Sequence, residues 1–295
     1  QKLGMASDLY EKYPIVRETF DQASSILGYN LRDLIDKEED KLNQTRYTQP
    51  AILTTSVAIY RLLQEKGFKA DMVAGLSLGE YSALVASRTL SFEDAVALVA
   101  KRGEFMETAA PAGTGKMVAV MNTEASLIEE IFQKASIKGV VTPANYNTPA
   151  QIVIGGETEA VNYAVELLKQ AGVKRLIPLK VSGPFHTALL APASKRLSEV
   201  LDKVTFSDFE IPLIGNTEAK VMQYDDIKAL LARQVKEPVR FYDSIETMRK
   251  LGMTEVIEIG PSKVLSGFLR KIDRSIPTAS VEDEASLSVL LKNRR

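Results

Sequence analysis

Residues 116–181 change hydrophobic period again and again, and that alternation restricts the fold more than any other feature of the chain. A short apolar run at 116–121 reads as a strand, and 123–135 follows with the three-and-four spacing of a capped helix. Two further short runs, 140–144 and 151–154, are split by Asn145-Tyr146-Asn147-Thr148-Pro149, whose residues favour turns. A second helix is predicted at 158–171, stopped by Gly172, and a strand at 175–181 completes the order strand, helix, strand, strand, helix, strand.

That order is the one of a ferredoxin-like lobe. Upstream the pattern is helical at 15–27, 50–64 and 92–109, interrupted by the short apolar run 72–75, which ends in glycine and reads as a central strand. Downstream, helices at 189–203, 225–235, 242–251 and 262–272 alternate with strands at 211–214 and 256–259, as in a parallel α/β sheet. The expected organisation is therefore one large α/β catalytic domain built from 1–109 and 184–295, with the small ferredoxin-like domain at 110–183. At 295 residues, the length suits such a pair, since domains commonly run to about 150 residues.

Composition removes whole classes of chemistry. There is no cysteine and one histidine, His186, so thiol nucleophiles and thiolate metal sites are impossible, and no metal site is expected. Lys+Arg 37 against Asp+Glu 38 gives a net charge of -1, without the global basic field of a nucleic-acid binder. No apolar run reaches the ~18 residues of a membrane span, and a cytoplasmic enzyme or binding protein is expected. Gly113-Thr114-Gly115-Lys116 fails as a phosphate loop, because Ala110 stands at its first glycine and Met117 at its Ser/Thr.

Three residues stand out. Ser77 lies in Gly75-Leu76-Ser77-Leu78-Gly79, between the 72–75 run and a helix at 80–86. A serine on a sharp strand-to-helix turn is exposed beside unpaired backbone N–H groups; it is either a nucleophile or a plain N-cap. His186 follows a strand and precedes a helix. It is the one side chain able to serve such a serine as an imidazole base, or else a loop histidine bonded to backbone. Arg102 sits in the apolar stripe of the 92–109 helix, with Leu98, Val99, Phe105 and Met106 three or four positions away. A guanidinium there needs an anion, either an internal carboxylate or the carboxylate of a substrate. Gly260-Pro261-Ser262-Lys263, between a strand and a helix, would be a helix cap or a contact for phosphate or pantetheine.

Taken in order, Tyr47-Thr48-Gln49-Pro50-Ala51, Gly75 to Leu84, Arg102-Gly103 with Phe105-Met106, Ser182-Gly183-Pro184-Phe185-His186, Asn216, Arg233-Gln234 and Gly260-Pro261 with Lys263-Val264-Leu265 resemble the malonyl-CoA:acyl-carrier-protein transacylases across essentially the whole chain. The resemblance implies an α/β-hydrolase-like large domain with a ferredoxin-like insertion, and malonyl transfer from malonyl-CoA to acyl carrier protein in fatty acid synthesis. It implies Ser77 as acylated nucleophile, His186 as general base and acid, and Arg102 as clamp on the malonyl carboxylate. The Leu78 N–H would serve the oxyanion, the main-chain carbonyl of Gln234 would orient the histidine, and Asn216 would belong to the substrate site. No cofactor, nucleic acid or membrane partner is implied, and a monomer is expected. Lys263, Arg270 and Lys271 are candidates for a basic surface toward the acidic carrier protein.

Two departures accompany the resemblance. Leu76 replaces the histidine usual after Gly75. The family's opening strand and Gly-Gln-Gly loop, whose glutamine N–H completes the oxyanion hole, are also expected to be missing, because Gln1-Lys2-Leu3-Gly4-Met5 resembles the segment just after that loop. Gln1 therefore takes no oxyanion role. A serine hydrolase and a non-catalytic carrier-binding module are the competing readings. A hydrolase would want an acidic third member and no carboxylate clamp, and a binding module would not need Ser77, His186 and Arg102 together.

Overall fold

The computed structural model describes residues 1–181 and 183–294; Ser182 of the histidine motif lies outside the described residues. It is an α/β structure, and no described helix is long and apolar enough to cross a membrane.

The predicted alternation at 116–181 is present. β1 (Gly115–Met121), a helix at Ala125–Ala135, β2 (Val141–Thr148), β3 (Gln151–Glu157), a helix at Thr158–Gln170 and β4 (Leu176–Pro178) follow one another. The strands form one sheet in the order β2-β3-β1-β4, and every pairing in it is antiparallel. Alternation decides which side chains go where. Val118, Val120 and Ile154 turn toward the two helices, where Ile128, Ile131, Phe132, Val161 and Leu168 are buried with them. Met117, Ala119 and Val153 turn the other way and pack with Ala144 and Phe185.

One turn is misplaced in the sequence reading. The expected break at 145–149 is instead the second half of β2, which runs to Thr148. Asn145 pairs with Val153 and Tyr146 with Ile152, at the cost of register shifts beside Pro143 and Tyr146. Asn145 also bridges Val239 in parallel, so pairing on both sides overrides the turn preference of Asn145, while Pro149 keeps its turn with Ala150 between β2 and β3. The predicted strands at 72–75 and 211–214 shrink to a single parallel bridge, Val73 with Leu213. The Val73 N–H donates to Pro212 O at 2.9 Å and the Ile214 N–H to Val73 O at 3.1 Å. The strand at 256–259 is β5 (Val256–Ile259), paired in parallel with β6 (Thr278–Val281), which the sequence reading did not include.

By compactness the chain falls into two units. The first holds Gln1–Gly103, Val204–Ile214 and the chain from Met248 on; the second holds Glu104–Lys203 and Gly215–Thr247. This division differs from the expected one at 109/110 and 183/184. The Val239 bridge to Asn145 and the packing of the Ala191–Leu201 helix on the Ile227–Gln234 helix draw those downstream segments into the second unit. Ser77 and Arg102 thus belong to the first unit, and His186, Asn216 and Gln234 to the second.

Candidate active site

In the first unit the serine turn is built by one glycine. A Cβ on Gly75 would lie 2.0 Å from the Gly79 carbonyl carbon, so only glycine lets the backbone double back before the Gly79–Ala86 helix. Gly79 has open space where its Cβ would be, so the second glycine is not needed for the turn. Between them Ser77 takes φ 55, a left-handed conformation that costs an L-residue about 1–2 kcal/mol. The turn closes with Glu80 N–H to Ser77 O at 3.1 Å and Tyr81 N–H to Leu78 O at 3.0 Å. The Leu78 N–H, at the N-cap of this helix, finds no acceptor among the described residues.

Arg102 reaches the serine. Its Nη2 donates to Ser77 Oγ at 3.0 Å and its Nη1 to Gln49 Oε1 at 2.9 Å, with the side chain 1% exposed. Gly103 makes this possible: a Cβ there would stand 2.7 Å from Thr45 O and 2.8 Å from the Arg46 Cα, so the Phe92–Ala109 and Thr45–Glu65 helices touch backbone to backbone at that point. Burial holds the Arg102 pKa below its ordinary value, while the charge of Glu80 and the neighbouring Tyr81 oppose that shift. The guanidinium lies 5.3 Å from the centre of the Tyr81 ring, whose phenol burial pushes up to about 12. A neutral ring and a fixed cation thus stand beside the serine oxygen. Gln49 and Tyr81 carry no signal of their own in the sequence: both lie inside the motifs, and spacing alone does not show which motif residues touch.

In the second unit His186 also sits at positive φ, 61. Its backbone N–H donates to Val235 O at 3.0 Å and its Nδ1 lies 2.7 Å from Gln234 O. Gln234 and Val235 end the Ile227–Gln234 helix, where carbonyls lack partners within the helix. A carbonyl only accepts, so this contact places the proton on Nδ1 and leaves Nε2 as the basic nitrogen. The ring is 4% exposed. Behind it, Gln234 Nε2 donates to Asn216 Oδ1 at 3.5 Å, and Asn216 O accepts from the Arg240 N–H at 2.9 Å. Arg233, next to Gln234 in the motif, is turned to the surface in ion pairs with Glu237 at 2.8 Å and Glu218 at 3.0 Å.

The Gly260–Lys263 loop resolves as a cap. The Glu258 carboxylate, on β5, accepts from the Leu265 N–H at 3.1 Å, the Ser266 N–H at 2.7 Å and the Ser266 hydroxyl at 2.6 Å. The N-terminus of the Val264–Ile272 helix already holds an internal anion.

A serine on a glycine-supported turn, hydrogen-bonded by a buried arginine, and a histidine whose tautomer is set by a carbonyl are the equipment of acyl transfer through an ester. The Acyl transferase domain family matches residues 1–295, and the chain belongs to that family. It is 45% identical over 295 residues to the malonyl CoA-acyl carrier protein transacylase of Bacillus subtilis strain 168, covering 99% of this chain and 93% of that protein. The crystal structure of MCAT from Streptococcus pneumoniae matches with a TM-score of 0.97 and 71% identity, over 99% of this chain and 96% of that one. A type II PKS acyl-carrier protein in complex with its malonyl-transacylase also matches, with a TM-score of 0.96, 42% identity and coverage of 99% and 96%. Within the acyl transferases, the chain is thus a member of the malonyl CoA-acyl carrier protein transacylase family.

Proposed function

We propose that this protein transfers the malonyl group of malonyl-CoA to the phosphopantetheine thiol of acyl carrier protein, through a malonyl ester on Ser77, in fatty acid synthesis. The observation that carries the assignment is the Arg102 guanidinium, fixed by Gln49 and donating to Ser77 Oγ. A buried cation beside an acylated oxygen suits an acyl group that ends in a carboxylate.

In the first half-reaction Ser77 Oγ attacks the thioester carbonyl and its proton passes to His186 Nε2. The oxyanion takes a hydrogen bond from the Leu78 N–H, a class of contact worth roughly 2.7–4 kcal/mol at the transition state. The C–S bond breaks, and coenzyme A leaves with the proton from the imidazolium. The second half runs the same steps in reverse from the carrier thiol. Gln234 orients the base through its carbonyl, and Asn216 holds Gln234 in place. No cofactor is called for, and the protein acts in the cytoplasm as a monomer. The strand order β2-β3-β1-β4 supports reading 110–183 as a ferredoxin-like lobe; the α/β-hydrolase-like character of the large domain rests on the family resemblance.

Intact mass after incubation with malonyl-CoA tests the assignment. A single malonyl adduct on Ser77, discharged by holo-acyl carrier protein, is the expected outcome; free malonate formed at the same rate without carrier would make the protein a hydrolase.

A further inference from the structure

The segment that carries His186 also carries an unusual surface. Between Glu166 and Glu199 there is no acidic residue, while Lys169, Lys174, Arg175, Lys180, Lys195 and Arg196 all fall there, in a chain of net charge -1. β4 lies within this segment, at the edge of its sheet. Its pairing continues past Pro178, because the Leu179 N–H donates to Met117 O at 3.0 Å.

Residues opposite one another on antiparallel strands share a face. Ile177 is opposite Ala119, and Leu179 falls opposite Met117 in the same register. On the central strands that face is covered, with Met117, Ala119, Ala144 and Val153 packed beneath Phe185. At the edge it is open: Ile177, Leu179 and Val181 are 41%, 36% and 43% exposed. Around them Lys174, Arg175 and Lys180 are exposed and form no ion pair among the described residues. Lys169, by contrast, lies 3.7 Å from Glu166.

An apolar stripe ringed by unpaired charge of one sign is the make-up of an interface for a partner of opposite charge. Pro178 and Lys180 on the edge itself oppose addition of another strand, which argues against a second copy pairing through β4. We propose that this edge, Ile177 to Val181 with Lys174, Arg175 and Lys180, is where the acidic carrier protein docks, using an apolar patch of its own set among carboxylates. The proposal rests on the acyl-transfer reading, and it moves the carrier surface from Lys263, Arg270 and Lys271 to the segment that leads into His186. The Asp283 carboxylate is held below its ordinary range chiefly by Ser286, with the charges of Lys2 and Lys263 adding to it.

Transfer from malonyl-CoA to holo-acyl carrier protein, at varied carrier concentration, tests it. The variants are Lys174→Glu/Arg175→Glu/Lys180→Glu, Leu179→Asp, and the matched control Lys263→Glu/Arg270→Glu/Lys271→Glu. Both edge variants should raise the carrier KM by about tenfold or more, with the rate of Ser77 malonylation by malonyl-CoA within about twofold of the parent. The control should move the carrier KM by less than about twofold. A carrier KM unchanged in both edge variants, or raised as much in the control, overturns the proposal. So does co-sedimentation of the parent with phosphatidylglycerol and phosphatidylcholine vesicles that the edge variants lose while their carrier KM stays the same. If the parent takes no malonyl group from malonyl-CoA, the acyl-transfer reading fails. The edge is then judged by calorimetric binding of the carrier protein, where a tenfold weaker Kd in the edge variants supports it and an unchanged Kd overturns it.

Discussion

Ser77 and His186 share a backbone conformation, φ 55 and φ 61, that costs each about 1–2 kcal/mol, yet the two turns are held in different ways. The serine turn is held from within: Gly75 lets the chain fold onto Gly79, and the bonds closing the turn span three residues. The histidine turn is tied within by Thr187 Oγ1 to Pro184 O at 2.7 Å, but it is also held from outside, by the two carbonyls at the end of a helix that begins 41 positions further on, at Ile227, and ends at Gln234. A strained turn with an internal support is sensitive to its own few residues. One anchored on distant backbone is almost indifferent to side-chain change at the anchor.

Substitutions can pull the two modes apart. Ser77→Ala should abolish the malonyl adduct in intact mass and reduce transfer on the order of 10³-fold or more; an adduct that persists places the nucleophile elsewhere. Gly75→Ala should come next, lowering thermal stability by about 2–4 kcal/mol and removing acylation with it, because no relaxation short of moving the Gly79 backbone admits the methyl. Gly79→Ala, which meets open space, should melt within about 1 kcal/mol of the parent. Equal losses in the two variants would refute the single-glycine account of the turn.

Arg102→Ala should lower kcat/KM for malonyl transfer about ten- to hundredfold while acetyl transfer changes much less, since acetyl has no distal carboxylate. Parallel losses on both substrates would make Arg102 a packing residue. The smallest effect is expected at the histidine's anchor. Gln234→Ala keeps the carbonyl that accepts from Nδ1 and removes the 3.5 Å contact to Asn216, so kcat should fall by less than about fivefold. A drop as large as that of His186→Ala would mean that the Gln234 side chain, rather than its backbone, positions the ring.

The same distinction explains what was legible in the sequence. The serine turn, the helix after it and the alternation of β1 to β4 are set by neighbours a few positions apart, and their signals survive in local period and glycine placement. Arg102 could be singled out because a charge in an apolar stripe conflicts with its surroundings; its contact with Gln49 depends on the close crossing at Gly103, which periodicity does not encode. The carbonyl role of Gln234 entered through motif resemblance alone, since every residue carries a carbonyl and none advertises it. The run through Asn145–Thr148 reads as a turn because its Asn and Thr residues favour one, whereas the run pairs with the neighbouring β3 and only Asn145 bridges the distant Val239. The near absence of a ladder at Val73 was misread because a short apolar run looks the same whether it makes one bridge or several.

The Glu258 carboxylate at the head of the Val264–Ile272 helix also decides what that helix end can still bind. With its own anion in place, the Leu265 and Ser266 N–H groups are already taken, and that helix end cannot offer them to a phosphate or carboxylate arriving from solvent.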